Sequence, residues 1–351
     1  MIEYHTYTAK DVREWIENGA KNGLSEQVIS RTRAYAFLNN PYVTDESVLA
    51  VSATDGEKVV GFTAGFPDEL VRPKCKCIVA STLYVLPEYT GDFIGFELIK
   101  RIKESYPDYD LIGSDETKSA ALIDKLLGNK IEEFSRNRFD INRKIRVHSF
   151  RSFGSYLLEP FRRRRQLRNI ERQIQSIGSD MKVEYISMID NEAYRFIESH
   201  SENDAFLRSQ NSLNWVLRFP LSISAPSQHR LIPQNAFGAQ VSESTNSGVK
   251  VYYKEQLVGV YMHGKRREDA KILMLYVDEN YAQQVYAIMM EHLMAMHPKK
   301  LYSQYEGFNE FMLTNRLSLY HAVDKYYYTH PVSLPCSTSQ QLQGAEGDMF
   351  A

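Results

Sequence analysis

The hydrophobic and polar positions in the first half of the chain alternate between a helical period and a strand period. Val12, Trp15 and Ile16 recur at helical spacing, which predicts an amphipathic helix. Further along, two β-rich runs flank Asp55-Gly56, a dipeptide typical of a tight hairpin. The same reading of the remaining segments predicts the order β-α-α-β-β-β-α-β-α-β for this half.

The second half repeats this order of elements. Residues 83–85 and 275–277 both read Leu-Tyr-Val, and Tyr89 matches Tyr281 at the same offset. The preserved order of ten elements indicates an internal duplication more strongly than any one of these matches. Two unrelated α/β domains with similar patterning are the alternative.

The pattern predicts two α/β domains, over residues 1–147 and 181–331. Residues 148–180 read as a linker with a basic helix, and residues 332–351 as a polar tail that we expect to be disordered. A chain of 351 residues with 43% hydrophobic and 25% charged residues can form two cores.

Composition narrows the range of functions. The net charge of −2 gives no overall attraction to nucleic acid or to an anionic membrane, so we expect neither as a partner. No apolar run reaches the roughly 18 residues of a membrane span, and the N-terminal residues do not resemble a secretory signal. The chain has three cysteines, and Cys75 and Cys77 lack the second ligand pair of a zinc site. We expect a cytoplasmic protein without a metal, and the oligomeric state stays open.

The segment from Leu83 to Leu98 carries the clearest candidate chemistry. A predicted strand ends, the chain turns at Gly91, and a helix begins with Gly95 in its first turns. Amides at a helix N-terminus attract anions, and glycine lets an anion come close. The segment therefore predicts a pyrophosphate site, although it matches neither the Walker nor the dinucleotide glycine pattern. An ordinary strand-to-helix turn with packing glycines is the alternative.

The element order and the pattern Pro-x-Tyr-x-Gly-x-x-Ile-Gly-x-x-Leu over residues 87–98 resemble the GCN5-related N-acetyltransferase (GNAT) superfamily. The resemblance implies an α/β (α+β) fold in a tandem form, each half a mixed, mostly antiparallel sheet flanked by helices. It also implies that the loop after the fourth strand holds the pyrophosphate of an acyl-CoA. The six loop positions are Thr90, Gly91, Asp92, Phe93, Ile94 and Gly95. Gly95 matches the family's final small residue, whereas Thr90 replaces an Arg or Gln and Phe93 a glycine.

The resemblance also implies roles for residues around this loop. Tyr84 and Val85 would flank the thioester, and a backbone N–H there would polarise its carbonyl. Asp115 and Glu116, at the end of the following strand, are candidate general bases, and His263 is a rival. Solvated loop carboxylates and a structural histidine are the alternatives.

Other positions of the family pattern are altered. Asp124 stands where the family has a tyrosine that often protonates the departing thiolate. In the second half the corresponding loop, residues 282–287, has no glycine and contains the bulky Tyr286, although Asn309 keeps the family's asparagine. The resemblance therefore places the cofactor in the first half and leaves the second half to shape the acceptor site.

A run of arginines lies between the two predicted domains. It comprises Arg162, Arg163, Arg164, Arg165, Arg168 and Arg172. Three interpretations stay open: a solvated face, a site for an anionic acceptor, and contact with nucleic acid or membrane.

The resemblance implies an acyl-CoA-dependent N-acyltransferase that acts on a small amine acceptor. Acetyl-CoA or another short acyl-CoA would be the co-substrate, with no metal. The alternative is a non-catalytic GNAT-fold protein that binds CoA or serves as a scaffold. A related duplicated protein that uses charged tRNA is a third interpretation, and the low overall basicity counts against it.

Overall fold

The computed structural model describes residues 1–19, 23–141, 165, 168, 172, 181–220, 244–318 and 320–334, with the backbone alone at 114–116 and 244. Two compact units are present. Unit 1 comprises Met1–Phe134, Asn203–Ser244 and Lys325–Ala351, and unit 2 comprises Ser135–Glu202 and Thr245–Asp324. The boundaries at residues 147 and 181 follow the sequence repeat and stay predictions. The second half of the chain thus supplies two segments to unit 1.

The first repeat contains six strands and four helices among the described residues. In chain order these are β1 (Ile2–Thr8), α1 (Ala9–Asn18), α2 (Arg31–Leu38), β2 (Val48–Asp55), β3 (Lys58–Arg72), β4 (Cys75–Val85), α3 (Ile94–Glu104), β5 (Asp110–Glu116), α4 (Lys118–Leu126) and β6 (Asn129–Asp140). A short 3-10 turn, Pro87–Tyr89, precedes α3.

The second repeat has the same order with one short strand added. Its elements are β7 (Met181–Ile186), α5 (Asn191–Ser199), β8 (Leu207–Arg208), α6 (Gln210–Arg218), β9 (Ser244–Tyr253), β10 (Gln256–Arg266), β11 (Asp269–Val277), α7 (Ala282–Ala295), β12 (Lys300–Ser303), α8 (Glu306–Thr314) and β13 (Tyr320–Pro331). The predicted order of ten elements is therefore confirmed in both halves. Of the arginine-rich segment, only Arg165, Arg168 and Arg172 are described, and all three lie in helical backbone.

Both units contain a mixed, mostly antiparallel sheet flanked by helices, as predicted. In unit 1 the strand order is β1-β2-β3-β4-β5-β13-β6, and β8 pairs with β3. There β4 and β5 are parallel, whereas β1–β2, β2–β3 and β3–β4 are antiparallel. In unit 2 the order is β6-β12-β11-β10-β9-β7, with β11 and β12 parallel and β10–β11 antiparallel.

Two predicted helices are shorter than their apolar patterns. The apolar pattern of residues 25–40 predicts one helix, but α2 begins at Arg31, because the Ser30 side chain caps it. The pattern of residues 204–219 predicts another helix, but Leu207 and Arg208 pair with the end of β3. In both places tertiary contacts or a cap override the helical period.

One packing detail recurs in the two repeats. A Cβ atom at Gly61 on β3 would lie 3.0 Å from Cγ2 of Ile94 in α3. A Cβ atom at Gly259 on β10 would lie 2.9 Å from Cγ1 of Val285 in α7. In each repeat, therefore, a strand glycine lets the helix after the fourth strand approach the sheet closely. None of the described helices is long and apolar enough to cross a membrane.

Candidate functional site

The two ends of β4 have different surroundings. Its residues Cys77–Ala80 pair in parallel with Asp110–Gly113 of β5. β4 continues to Val85 along β3, whereas β5 pairs with β4 only as far as Gly113 and continues to Glu116 along β13. Residues from Thr82 to Val85 are half-exposed, although β4 is an interior strand of the unit 1 sheet. The two strands therefore diverge and leave a groove along this end of β4.

The turn after β4 presents backbone amides at the end of the groove. Phe93 precedes α3 in the left-handed conformation, with φ 55° and ψ 13°, and no side chain caps the helix. At the start of α3 the Glu97 amide donates a hydrogen bond to the Phe93 carbonyl, which is the first bond of the helix. The amides of the first turn of α3 consequently have no intrahelical acceptor, which is the property that binds an anion.

The two glycines of the loop have different roles. A Cβ atom at Gly91 would have no heavy atom within 4 Å. A Cβ atom at Gly95 would lie 3.0 Å from Cδ1 of Ile123 and 3.6 Å from Cδ2 of Leu83. Gly91 thus leaves open space beside the backbone, whereas Gly95 allows α3 to pack against α4 and β4.

Phe93 is in a conformation that glycine adopts more easily, and its side chain is 75% exposed. We expect Phe93→Gly to raise the free energy of unfolding by about 0.5–1 kcal/mol, because relief of the left-handed strain exceeds the entropy cost of glycine. Thermal unfolding measures the change. Phe93→Ala removes the same ring but keeps the strain, so a gain of equal size in that variant would contradict the explanation.

The predicted bases lie where β5 leaves β4. The backbone of Asp115 and Glu116 is in the last part of β5, and their side chains lie outside the described residues. Asp124, at the family's tyrosine position, is buried and accepts a hydrogen bond of 2.6 Å from the Thr329 hydroxyl. This carboxylate links α4 to β13 in unit 1, so it is a structural group.

The strand of unit 2 that corresponds to β4 is β11, and it is more deeply buried. β11 also pairs with β12 at its start only, from Asp269 to Lys271. However, β11 is buried from Ala270 to Tyr276, so no groove comparable to that along β4 follows. α7 begins at Ala282, which aligns with Thr90, whereas α3 begins at Ile94. The helix therefore starts four residues earlier in the second repeat than in the first.

Tyr286 occupies the space between α7 and α8. Its hydroxyl lies 2.6 Å from the point where a Cβ atom at Gly307 would be. Its ring centroid is 5.8 Å from those of Phe308 and Phe311. Tyr286 aligns with Ile94, which is also buried, and the counterpart of Gly91 in unit 2 is Gln283.

His263, the rival base, is buried on β10 of unit 2. Burial and the nearby His292 lower the pKa of His263 to about 4. Among the described residues its Nδ1 atom has no hydrogen-bond partner. This placement favours the structural interpretation of His263, because a histidine with so low a pKa is a weak base at neutral pH.

The buried His263 makes the stability of the protein depend on pH. Its pKa is about 4 when folded and about 6.5 when unfolded, so only the unfolded state binds the proton between these values. The free energy of unfolding should therefore fall by about 3 kcal/mol as the pH drops from about 6.5 to 4. Urea unfolding followed by circular dichroism, at several pH values, measures this loss. His263→Met should flatten the profile by that amount, and parallel profiles would contradict the assignment.

Cys75 and Cys77, and the metal-binding side chains of the described residues, supply no further chemistry. Burial raises the pKa of the Cys75 thiol to about 11 and that of Cys77 well above its usual value. Neither is a thiolate nucleophile at neutral pH. Within the described part of the chain, no group of three or more His, Cys, Asp or Glu side chains could hold a metal ion.

Arg33 of α2 is a site residue that the sequence analysis missed. It is buried, and its Nη1 atom donates to the Thr82 hydroxyl at 2.7 Å and to the Ser81 hydroxyl at 3.4 Å. A signal was present, since Arg33 lies four residues before the buried Phe37 and so shares its helix face. Charged residues are rarely buried without a partner, so a charge on the apolar face of a helix indicates a residue with specific contacts.

Comparison with solved structures identifies the fold. A candidate acetyltransferase from Pyrococcus horikoshii aligns with a TM-score of 0.53 at 11% identity, over 99% of this chain and 96% of that chain. The chain has the GNAT fold. A tandem GNAT protein of clavulanic acid biosynthesis (TM-score 0.49, 12% identity, 94% and 98% coverage) and a GNAT from Sphaerobacter thermophilus (TM-score 0.48, 10% identity, 94% and 94% coverage) also align. Neither a scan of family models nor a search of curated proteins gives a match.

Proposed function

We propose that unit 1 binds an acyl-CoA in the groove along β4 and transfers its acyl group to a small amine. The observation that carries the proposal is the contrast between the repeats. In unit 1 the end of β4 is half-exposed and Gly91 borders open space, whereas in unit 2 β11 is buried to Tyr276 and the equivalent of the loop belongs to the helix α7. The GNAT fold makes an acyl-CoA the natural occupant of such a groove.

The groove offers a fitting set of contacts for acetyl-CoA or another short acyl-CoA. The free edge of β4 would pair with the pantetheine amides as an added strand does. Tyr84 and Val85 would flank the thioester. In the loop Thr90–Gly95, the Thr90 and Asp92 amides already donate to the carbonyls of Pro87 and Tyr89. The amides of Gly91, Phe93, Ile94 and Gly95 would therefore hold the pyrophosphate, with Gly91 allowing close approach. Asp92 and Phe93 are exposed at the rim of the loop.

The proposed chemistry is direct transfer. The neutral amine attacks the thioester carbon, a C–N bond forms, and the C–S bond breaks. A backbone N–H at Tyr84 or Val85 would stabilise the negative charge that develops on the carbonyl oxygen. Asp115 or Glu116, directly or through water, would take the proton that the nitrogen loses, and the thiolate would leave as the CoA thiol after protonation.

Two measurements test the proposal in sequence. Acetyl-CoA and CoA should each raise the thermal unfolding temperature, since a ligand that binds only the folded state stabilises it. Thiol release from acetyl-CoA should then occur with at least one acceptor from a panel of amino acids, amino sugars and polyamines. The absence of any thermal shift at millimolar acetyl-CoA would refute the proposal.

A non-catalytic acyl-CoA-binding protein is the second candidate. Asp124 favours it, because a buried carboxylate bonded to Thr329 replaces the phenol that often protonates the thiolate in this family. A protein of this kind would show the thermal shift but no thiol release with any acceptor. The same two assays therefore separate the candidates.

A further inference from the structure

Tyr84 presents a phenol at the open end of β4. It lies between Ala80, where the pairing with β5 ends, and the loop that follows the strand. The side chain is half-exposed, and its ring stacks on the directly opposed Phe62 of β3, with the centroids 5.4 Å apart. Phe62 is buried in the core of unit 1. The stack therefore fixes the ring while the residue stays accessible from the groove.

The two faces of β4 differ in how they are covered. Leu83 and Val85 pack on the side of α3, whereas Tyr84 packs against the core cluster of the opposite face. On the first side a Cβ atom at Gly95 would lie 3.0 Å from Cδ1 of Ile123, so α3 and α4 are in close contact beside the strand. We therefore expect an acceptor to approach the groove on the side of Tyr84.

Other hydroxyls near this end of β4 are engaged in hydrogen bonds. The Thr82 hydroxyl donates to the Ser81 carbonyl at 2.7 Å, and the Thr63 hydroxyl donates to the Thr82 carbonyl at 2.7 Å. The hydroxyls of Ser81 and Thr82 also accept from Arg33, at 3.4 Å and 2.7 Å. By contrast, the Tyr84 hydroxyl has no hydrogen-bond partner within the described part of the chain, and it is accessible to solvent. Its proton is therefore available to a ligand in the groove.

The proposed reaction requires a proton donor at the sulfur atom, because cleavage of the C–S bond produces a thiolate. Asp124 does not supply this proton, since its buried carboxylate accepts a hydrogen bond from Thr329. We propose that the Tyr84 hydroxyl gives its proton to the departing thiolate as a general acid. The inference rests on the proposed function, in which Tyr84 flanks the thioester.

The protons balance over one turnover. The C–N bond forms, the C–S bond breaks, and the nitrogen loses a proton to Asp115 or Glu116. The thiolate takes the phenol proton and leaves as the CoA thiol. The Tyr84 phenolate then recovers a proton from the protonated carboxyl group through water, so every group returns to its initial state. The stack on Phe62 keeps the phenol positioned for each turnover.

Tyr84→Phe tests the inference, because it keeps the stacked ring and removes only the hydroxyl. With acetyl-CoA and the best acceptor of the panel, kcat should fall at least about 100-fold, and the Kd of acetyl-CoA should change less than about twofold. The unfolding temperature should not change, because the hydroxyl makes no hydrogen bond to the described residues. Tyr35→Phe removes the hydroxyl of a 56% exposed tyrosine on α2. It is the matched control and should retain the wild-type kcat.

A pH profile separates a general acid from a residue that only shapes the groove. The kcat of wild type should decrease at alkaline pH as the phenol loses its proton, and this decrease should be absent in Tyr84→Phe. Equal kcat in wild type and Tyr84→Phe overturns the inference, as does a reduced kcat that keeps the alkaline decrease. Failure of the proposed function appears in wild type alone, as no binding of acetyl-CoA or no thiol release, and would overturn both.

Discussion

Gly91→Glu should weaken acetyl-CoA binding by at least about 100-fold. The variant places a carboxylate within a few ångström of the expected pyrophosphate, where like charges repel strongly. It should not affect folding, because a Cβ atom at Gly91 meets nothing within 4 Å and its backbone is not in the left-handed region. Isothermal titration calorimetry with acetyl-CoA measures the loss.

Two control variants isolate the cause of this loss. Gly91→Ala adds only a methyl group in open space and should change the affinity less than tenfold. Gln283 aligns with Gly91 in the second repeat, so Gln283→Glu introduces the same charge into unit 2 and should leave binding intact. Tight binding by Gly91→Glu would show that the acyl-CoA site lies elsewhere, and a loss in Gln283→Glu would point to unit 2.

Asp68→Asn should lower the free energy of unfolding of unit 1 by about 3–5 kcal/mol. The Asp68 carboxylate lies 2.7 Å from Nη1 of Arg208, and the two side chains are 0% and 4% exposed. It also accepts a hydrogen bond from the Ser212 hydroxyl. Neutralising Asp68 leaves the buried guanidinium without its counterion, and that penalty is far larger than the net value of an ion pair.

Tryptophan fluorescence during urea unfolding reports this loss. Both tryptophans of the chain, Trp15 and Trp215, lie in unit 1. Asp45→Ala breaks the exposed pair with Arg13, so it should cost less than about 1 kcal/mol. The double variant Asp68→Leu/Arg208→Met removes both charges and should be more stable than Asp68→Asn. If Asp68→Asn cost no more than Asp45→Ala, the buried pair would not stabilise unit 1.

Local signals in the sequence predicted most elements correctly. Thr8 caps α1 in a capping box, Gly56 at φ +60° forms the turn between β2 and β3, and Gly128 at φ +94° follows α4. Each of these features depends on a few neighbouring residues, so a single sequence contains the necessary information. The same holds for the repeated element order.

Features that depend on distant residues were not predictable in this way. The end of β3, at Leu70 and Arg72, pairs with β8, more than a hundred positions along the chain. The separate roles of Gly91 and Gly95 depend on whether a residue such as Ile123 lies beside them. The hydrogen bonds from Arg33 to the Ser81 and Thr82 hydroxyls of β4 are a further example, because they also join residues that are distant in the sequence.

The two segments that the second half contributes to unit 1 affect how the duplicated gene can evolve. Trp215 packs on Phe66, with the centroids 4.7 Å apart, and donates to the Ala36 carbonyl at 2.7 Å. Thr329 bonds Asp124 in the same unit. A gene cut at the repeat boundary would therefore encode a first copy that lacks part of its own interior. The two repeats therefore cannot be separated at that boundary without loss of contacts inside unit 1.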